Sequence, residues 1–292
     1  MKEKILILGA NGLLGNTLLN YFLSKKFFCK GVIRSKKAAI LDENHYFYYD
    51  GLIKKNKLYL LEIEKIIDYF KPKLVINCIG VTKSKFTSKS KTKIINSFFP
   101  KSLSRLTSKK KIKFIHFSTD CVFDGKKGFY SENDIPNAKD IYGLSKLNGE
   151  PNQKNTIVFR TSMIGHSNEK NNGLLEWFLN QKKVKGFSCM YFSGPTALEI
   201  GKIVYKYVIK KKIIKNGLYN LGNQRISKYK LLVLLNKIYN KKIKIIEDFD
   251  ISIDRSLTIN KFATKTHYII PKWSKMIKEQ KKFWKKVKKD YV

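Results

Sequence analysis

The sequence is short of acidic side chains, and it contains little histidine, cysteine or proline. Its 292 residues include 22 Asp and Glu, 4 His, 4 Cys and 6 Pro, against 60 Lys and Arg. The cysteines form no CxxC pair, so nothing predicts a structural zinc site, and we expect no bound metal. No apolar run reaches the roughly 18 residues typical of a membrane-spanning helix, so we expect no membrane span.

The start of the chain also lacks the pattern of a secretory signal. The apolar run at residues 5–8 is too short, and no small-residue cleavage site follows it. The single cysteines Cys29, Cys78, Cys121 and Cys189 fit a reducing compartment, where such side chains pack as small apolar groups. Both observations make the cytoplasm the expected location.

The excess of lysine gives a formal net charge of +38. Such a charge favours nucleic acids or anionic lipid surfaces. The lysines are spread along the whole chain, however, with abundant Asn, Ile, Tyr and Phe, a blend typical of an A/T-rich coding sequence. We therefore expect no specific nucleic-acid partner, although a basic surface would attract a phosphate-bearing substrate. Binding of nucleic acid through charge alone stays an alternative, and salt would abolish it.

Short apolar runs alternate with amphipathic segments over the first part of the chain. The runs predict strands, and the segments between them predict helices. Predicted strands cover residues 4–8, 31–34, 46–49, 73–77, 113–118 and 156–160, and predicted helices cover residues 13–23, 60–70 and 96–106. This alternation predicts an α/β fold with a Rossmann-like, doubly wound parallel sheet and helices on both faces.

The pattern becomes less regular after about residue 165. A strand at 217–221, a helix at 228–239 and an edge strand at 242–246 are the clearest elements there. We expect a nucleotide-binding Rossmann domain over residues 1–165 and a smaller α/β part over residues 166–292 that mainly binds substrate. Some elements of this second part are expected to return to the Rossmann sheet.

A glycine-punctuated turn follows the first predicted strand and opens the first predicted helix. Its pattern is G-x-x-G-x-x-G, in which glycine allows a tight turn and a close approach of the backbone to a pyrophosphate. The free N–H groups at the start of the helix then face the phosphates. The turn therefore predicts a dinucleotide site, and the residues expected to contact the cofactor are Gly9, Asn11, Gly12, Leu13, Leu14 and Gly15.

Two further segments bear on the cofactor. The second predicted strand ends at Arg34, with Lys36 and Lys37 just beyond, where NAD-preferring sites usually carry an acidic residue. A guanidinium there suits a 2′-phosphate, so NADP(H) is favoured over NAD(H). After the strand at 73–77, the small residues Cys78, Ile79 and Gly80 are expected to lie against the cofactor, because ligands bind beyond the carboxyl ends of parallel strands.

A tyrosine and a lysine stand four residues apart in a Y-x-x-x-K pattern. On a helix, Tyr142 and Lys146 share one face, so both can flank the same reacting group. A nearby ammonium is expected to lower the pKa of the phenol toward working pH, which would let Tyr142 protonate an alkoxide. Upstream, Ser118-Thr119-Asp120 follows a predicted strand, and the Thr119 hydroxyl is expected beside the same substrate oxygen.

Together these segments resemble an extended short-chain dehydrogenase/reductase, and within that group the dTDP-4-dehydrorhamnose reductase family. The resemblance covers nearly the full chain. The similar segments are GANGLLG at 9–15, STDCVFDG at 118–125, YSEND at 130–134, YGLSKLNGE at 142–150, DRSL at 254–257 and PKW at 271–273. The STDCVFDG segment is quite specific to these reductases.

The resemblance implies roles for individual residues. Thr119 is expected to hydrogen-bond the substrate carbonyl oxygen, Tyr142 to donate the proton, and Lys146 to hold the cofactor ribose and tune Tyr142. The cofactor would reduce the 4-keto group of a nucleotide-linked 6-deoxyhexose used for surface polysaccharide. We expect this nucleotide-diphosphate sugar to contact Thr119, Asp120, Met163 and Lys83. A homodimer is the assembly that we consider for this chain.

Two positions separate this chain from neighbouring enzymes that it resembles. Sugar-nucleotide 4,6-dehydratases carry Asp then Glu after the threonine, whereas this chain has Asp120 then Cys121, so the elimination step lacks its base. Rhamnose enzymes tend to have tryptophan where this chain has Met163. The RTSMIGH segment at 160–166 looks more like a branch that reduces UDP-linked N-acetylated 4-keto sugars, so the choice between dTDP and UDP stays open.

Several alternatives remain. A nucleotide-sugar epimerase would keep NAD bound, and a non-catalytic regulatory subunit would bind a dinucleotide without needing a proton donor. His116 is expected to be a core histidine, and His166 either touches substrate or has no role. Trp177 and Phe178 are expected to pack rather than line a sugar pocket. The basic amphipathic segment at 275–289 is expected to close the small domain, with an anionic membrane surface as the alternative.

Overall fold

A computed structural model describes the chain at residues 3–34, 36, 41–50, 53–54, 57–58, 60–86, 88–169 and 172–289. Lys37, which the sequence associates with the 2′-phosphate, lies outside these residues.

Strands and helices alternate through the first part of the chain. The strands are β1 (Lys4–Leu8), β2 (Phe28–Ile33), β3 (Tyr46–Tyr48), β4 (Ile53–Lys54), β5 (Lys57–Leu58), β6 (Leu74–Asn77), β7 (Lys113–Phe117), β8 (Thr156–Arg160), β9 (Lys183–Phe187), β10 (Met190–Phe192), β11 (Gly217–Asn220), β12 (Ile226–Ser227), β13 (Lys244–Asp248) and β14 (Ile253–Asp254). The helices are α1 (Leu13–Ser24), α2 (Leu61–Phe70), α3 (Lys89–Lys93), α4 (Phe99–Lys109), α5 (Ile141–Leu147), α6 (Leu174–Leu179), α7 (Ala197–Ile203), α8 (Lys228–Tyr239), α9 (Asn260–Thr266) and α10 (Trp273–Lys289).

Tighter or wider helical turns extend several of these elements. A π-helical segment, Ile94–Phe98, joins α3 to α4, and another, Val204–Lys210, continues α7. A short 3₁₀ turn at Asp120–Val122 follows β7.

The main sheet contains seven strands in the order β11-β8-β7-β6-β1-β2-β3. Every adjacent pair is parallel. The predicted α/β class with a Rossmann-like parallel sheet is therefore confirmed. The strand β11 comes from the second half of the chain and pairs with β8, so this half contributes an edge strand to the main sheet.

The two faces of the sheet are covered by different helices. Alternate residues of β1 point to opposite faces, so Ile5 and Ile7 join a cluster with α1 and α7, while Leu6 and Leu8 join one with α2 and α4. All four side chains are essentially inaccessible to water. This two-sided burial explains why β1 is apolar throughout.

The second half of the chain builds a smaller unit beside the carboxyl end of the sheet. β9 and β13 pair in parallel, and β10 lies between β12 and β14. The predicted edge strand begins two residues late, at Lys244, because both backbone groups of Ile243 bond the Asn236 side chain of α8.

Helix α10 closes this smaller unit, as expected from its amphipathic pattern. Its buried side chains include Trp273, Met276, Ile277 and Trp284, and they pack inward. The apolar face that a lipid surface would need is therefore covered by protein. In the part of the chain that the structure describes, no helix combines the length and apolarity needed to cross a bilayer.

We expect Gly15→Ala to lower the free energy of unfolding by about 1–3 kcal/mol, because an added methyl cannot be accommodated without moving backbone. A Cβ on Gly15 would lie 2.2 Å from the Gly9 carbonyl oxygen. Gly12→Ala is the matched control, since its Cβ would lie 3.4 Å from the same oxygen. Urea denaturation of both variants measures the difference, and an equal loss in both would contradict this account of the turn.

Candidate active site

The glycine turn lies at the carboxyl end of β1 and touches the loop that follows β6. Gly9 has a positive φ of 75°, and its N–H donates to the Val32 carbonyl on β2. A Cβ on Gly9 would lie 3.0 Å from Ile79, so only glycine lets the two segments approach this closely. The turn and the predicted Cys78-Ile79-Gly80 loop therefore form one surface.

Helix α1 begins directly after this turn without a side-chain cap. Its N-cap residue is Gly12, which accepts from Asn16 N through its carbonyl but offers no side-chain oxygen to the first N–H groups. Uncapped N–H groups at a helix start bind phosphate well. Leu13 sits here in tight contact with Gly165 and Gly173, so the start of α1 also meets the loops after β8.

An asparagine that sequence reasoning missed fixes the loop after β6. Asn96 accepts from Val81 N through Oδ1 at 2.8 Å and donates to Val81 O through Nδ2 at 2.9 Å. The same amide also donates to the Ser145 hydroxyl on α5 at 3.1 Å. A buried amide bonded at both ends ties the cofactor-side loop to the helix that bears Tyr142 and Lys146.

Helix α5 is placed against the turn after β7 by close backbone packing. Its N-cap, Asp140, accepts from Gly143 N. A Cβ on Gly143 would lie 2.2 Å from the Cys121 carbonyl oxygen, so the glycine of the Y-G-x-x-K segment is needed for this contact. Ser97 donates to the Ser145 carbonyl from the other side.

The packing brings Thr119 and Tyr142 together, as their pattern predicted. The Thr119 side chain is buried, and its hydroxyl lies close enough to Tyr142 to lower the pKa of the phenol. Its hydroxyl also donates to Asp120 Oδ1 at 3.1 Å and accepts from Cys121 N at 3.1 Å. Two hydroxyls from different elements thus converge at the carboxyl edge of the sheet.

The expectation that Lys146 lowers the pKa of Tyr142 is wrong for this structure. Burial raises the pKa of the Tyr142 phenol well above its usual value, and the neighbouring Thr119 hydroxyl offsets only part of that rise. The ammonium of Lys146 is held elsewhere, by the Phe117 carbonyl oxygen at 2.5 Å. Tyr142 therefore keeps its proton at neutral pH.

Lys146 is itself almost fully buried, with 6% of its surface exposed. Burial lowers the pKa of its ammonium to about 8, while Glu150 and Cys78 act in the opposite direction. Its Nζ lies 3.5 Å from His116 Nε2 and close to the backbone of Gly80. The lysine thus reaches the same loop surface as the glycine turn.

A buried ion pair behind these groups was also missed. Arg160 donates through Nε and Nη2 to the two carboxylate oxygens of Glu150, both at 2.8 Å, and Ser118 donates to Glu150 at 2.6 Å. Arg160 is 4% exposed. An arginine ending the apolar strand TIVFR requires a buried partner, and that requirement was the available signal.

Cationic side chains from the second half of the chain face the same region. Lys228, the first residue of α8, lies 4.4 Å from the ring centre of Phe192, and burial lowers its pKa while Asp120 raises it. Arg255 donates through Nε to the Phe123 carbonyl at 2.9 Å and interacts electrostatically with Cys121. These charges favour an anionic ligand next to Asp120.

The remaining predicted residues lie around this cluster or apart from it. Arg34 is exposed beyond the end of β2, and Lys36 pairs with Glu43 at 2.8 Å rather than standing free. Lys83 pairs with Asp140 at 2.9 Å near the start of α5. Met163 is half-buried and packs against the main core.

His166 and Phe178 have packing roles, whereas Trp177 is exposed, so the expectation that it packs is wrong. His166 stacks on Trp284 with ring centres 5.1 Å apart and hydrogen-bonds Glu176 and Tyr239. Phe178 is fully buried in the core of the smaller unit. A histidine bonded at both nitrogens has no atom left for a substrate. Among the described residues, no group of three or more His, Cys, Asp or Glu side chains is arranged to hold a metal ion.

Comparisons with known proteins place this geometry in context. The profile of the family described as "RmlD substrate binding domain" matches residues 2–280. A probable low-salt glycan biosynthesis reductase, Agl14, of Haloferax volcanii is 30% identical over 150 residues, 49% of this chain and 46% of that protein. The chain thus spans about half the length of the first curated relatives it matches.

Relatives that match a larger share of this chain include a reductase and a subunit of another enzyme. A dTDP-4-dehydrorhamnose reductase of Aggregatibacter actinomycetemcomitans is 25% identical over 80% of this chain and 78% of that protein. A methionine adenosyltransferase 2 subunit beta of Xenopus laevis is 23% identical over 82% of this chain and 72% of that protein.

Solved structures agree in fold over nearly the full length. A dTDP-4-dehydrorhamnose reductase from Clostridium acetobutylicum superposes with a TM-score of 0.77 at 22% identity, covering 97% of this chain and 99% of that chain. One from Bacillus anthracis, in complex with NADP, superposes with a TM-score of 0.76 at 18% identity, covering 98% and 100%.

We expect Glu150→Gln to lower the free energy of unfolding by about 3–5 kcal/mol, because it leaves the buried Arg160 guanidinium without a counter-charge. Denaturant unfolding of the purified variant measures this loss. Glu43→Gln, which breaks the exposed pair with Lys36, is the control and should leave stability unchanged. Equal stability of Glu150→Gln and the parent would show that the pair does not organise the site.

Proposed function

The chain belongs to the RmlD substrate binding domain family, and from this membership we propose that it is a nicotinamide-dependent sugar-nucleotide reductase. Its proposed reaction is reduction of the 4-keto group of a nucleotide-linked 6-deoxyhexose. The observation that supports this most strongly is the proximity of the Thr119 and Tyr142 side chains, with Lys146 one helical turn away, at the edge of the sheet where the glycine turn lies.

The residues present fit a dinucleotide. The uncapped start of α1 offers N–H groups to a pyrophosphate, and the glycine turn leaves room for backbone contact. Cys78, Ile79 and Gly80 form the adjoining wall, and the Lys146 ammonium is available for a ribose hydroxyl. When bound, the cofactor would supply a hydride to the carbonyl carbon of the substrate.

The chain's own residues supply the proton. Because burial keeps Tyr142 protonated at neutral pH, it is a ready general acid for the oxygen that becomes negative as the carbonyl is reduced. The Thr119 hydroxyl, now donating to Asp120, would turn to donate to the same oxygen. After the transfer, the phenolate is left in a buried position, which favours its return to the protonated form.

A dehydratase reaction is disfavoured by the residue that follows Asp120. Burial, with Asp120 beside it, raises the pKa of the Cys121 thiol to about 12. A thiol that stays protonated at neutral pH cannot serve as the base for an elimination. The site therefore supports reduction better than loss of water.

Cationic side chains near Asp120 and Cys121 support the proposed class of substrate. From the second half of the chain, Lys228 interacts with Asp120 and Arg255 interacts with Cys121, while Lys83 lies near the start of α5. These cations suit the diphosphate of a sugar nucleotide, whether dTDP-linked or a UDP-linked N-acetylated sugar. The resemblance to a glycan biosynthesis reductase supports a role in polysaccharide synthesis. The four free cysteines fit a cytoplasmic location.

A regulatory subunit is the second candidate, because relatives named methionine adenosyltransferase 2 subunit beta match over most of this chain. Such a protein would bind a dinucleotide without consuming it. An epimerase would likewise show no net consumption of cofactor. The retained Thr119, Tyr142 and Lys146 favour the reductase, since a regulator has no need of a proton donor.

The deciding experiment follows NADPH absorbance while dTDP-linked and UDP-linked 4-keto-6-deoxy sugars are offered separately. Stoichiometric oxidation of NADPH with one of them supports the reductase and identifies the nucleotide. Tight NADPH binding without oxidation by any sugar would overturn it in favour of the regulatory subunit. Interconversion of sugar epimers without net oxidation would overturn it in favour of the epimerase.

We expect Tyr142→Phe to reduce kcat by about 100-fold or more, because it removes the general acid, while NADPH affinity stays within a few-fold of the parent. Stopped-flow absorbance gives the rate, and fluorescence titration gives the affinity. Tyr191→Phe, which alters a tyrosine outside the Thr119–Tyr142 pair, is the control. Equal rates for Tyr142→Phe and the parent would refute the assigned donor.

The preference for NADP(H) is proposed from Arg34. Arg34→Ala should weaken NADPH binding about tenfold and leave NADH binding nearly unchanged, because only the former carries a 2′-phosphate. Isothermal titration with both cofactors measures the two affinities, and Lys26→Ala, a lysine at the other end of β2, controls for net charge. An equal loss of affinity for both cofactors would mean that Arg34 does not bind the 2′-phosphate.

A further inference from the structure

A chain of three buried side chains links the central sheet to α5. Asn77 ends β6, His116 lies in β7, and Lys146 lies on α5. Asn77 Nδ2 is 3.1 Å from His116 Nδ1, and His116 Nε2 is 3.5 Å from Lys146 Nζ. All three are at most 6% exposed. The imidazole therefore lies between an amide and the lysine of the proposed active site.

The orientation of the Asn77 amide is fixed by the backbone. Its Oδ1 accepts from Ile79 N at 3.0 Å, so Nδ2 must be the atom that faces His116. An amide nitrogen only donates, and His116 Nδ1 must accept. The proton of a neutral imidazole then has to reside on Nε2.

The imidazole stays neutral because it is buried. Burial, with Lys146 as a second cause, lowers the pKa of His116 well below its usual value. Nε2–H therefore points toward Lys146 at all moderate pH values. An ammonium has no lone pair to accept this N–H, whereas a neutral amine has one.

We propose that His116, oriented by Asn77, is a positioning residue that directs its Nε2–H at Lys146 and stabilises the neutral amine form of that lysine. The proposal rests on the proposed function, because it explains how the proton lost by Tyr142 is restored. The Tyr142 proton moves to the substrate oxygen, the Lys146 ammonium returns a proton to the phenolate through an intervening hydroxyl or water molecule, and solvent reprotonates the resulting amine. Between the last two steps the amine accepts the His116 N–H.

Other groups around Lys146 influence its charge in known directions. Glu150 and Cys78 both raise the pKa of the ammonium, and burial lowers it to about 8. The other titratable groups near α5 are Tyr142 on the helix itself, Asp140 at its N-cap with its partner Lys83, and Asp120 and Cys121 on the adjoining turn. None of them donates a hydrogen bond to Nζ, so the imidazole has a distinct role.

Nitrogen NMR of the histidine-labelled protein tests this directly, because the chain has only 4 His. We expect His116 to show protonated Nε2 and unprotonated Nδ1 from pH 6 to pH 10, with a shift of its Nε2 signal centred near pH 8 as Lys146 loses its proton. His267, which is exposed, provides the internal reference signal, because its side chain faces solvent rather than Lys146. A protonated Nδ1 in the parent would overturn the proposal.

Two variants separate the imidazole from its surroundings. Lys146→Met should abolish the shift near pH 8, and persistence of that shift would overturn the assignment. Asn77→Asp, which is nearly isosteric, should move the His116 proton to Nδ1, because a carboxylate only accepts. The exposed Nε2 lone pair would then accept from the ammonium, and the titration of Lys146 should move upward by about one pH unit or more. An unchanged tautomer or midpoint would overturn the proposal.

Measurements of NADPH oxidation distinguish the failure of this inference from the failure of the proposed function. If NADPH oxidation is found, the basic limb of kcat against pH should move upward in Asn77→Asp together with the NMR midpoint. If no sugar supports oxidation while the NMR results hold, the proposed reaction fails and the tautomer assignment stands. If oxidation occurs without any change in the limb, the role of His116 in catalysis is refuted.

Discussion

The site depends on a cationic side chain buried at the carboxyl edge of the parallel sheet. Among the described residues, Lys146 Nζ has the Phe117 carbonyl oxygen as a close acceptor at 2.5 Å, and the His116 imidazole lies 3.5 Å away. Burying an ammonium with so few partners is costly, and the cost appears as a pKa lowered to about 8. The buried ammonium lies where four segments meet: the glycine turn, the loop after β6, the turn after β7 and helix α5.

Burial outweighs proximity of charge in deciding how these groups ionise. Burial is the main cause that raises the pKa values of Tyr142 and Cys121, and for Cys121 it outweighs the opposing effect of the Arg255 and Lys83 cations. In the proposed reaction the phenol therefore serves as the acid, and the thiol is too weakly acidic to provide a base. This selects a role for each group from a set of residues that by chemistry alone could serve several reactions.

The large positive charge is divided between the surface and a few buried positions. Pairs such as Lys36–Glu43 and Lys65–Glu62 are exposed and contribute little to stability. The Arg160–Glu150 pair is buried, bidentate and bonded to Ser118, and it lies behind Thr119. The position of a cation in the fold, rather than the number of cations, therefore decides whether it organises the site or remains hydrated at the surface.

The sequence by itself determined the fold class and the candidate catalytic residues. Apolar periodicity predicted the parallel sheet, and the spacing of Tyr142 and Lys146 placed both on one helical face near Thr119, because these signals are local. Tertiary structure decided what each group does. The sign of the Tyr142 pKa shift, the Asn77–His116–Lys146 chain and the Glu150–Arg160 pair depend on burial and on contacts between residues far apart in the chain. Neither burial nor such contacts is encoded in the spacing of a motif.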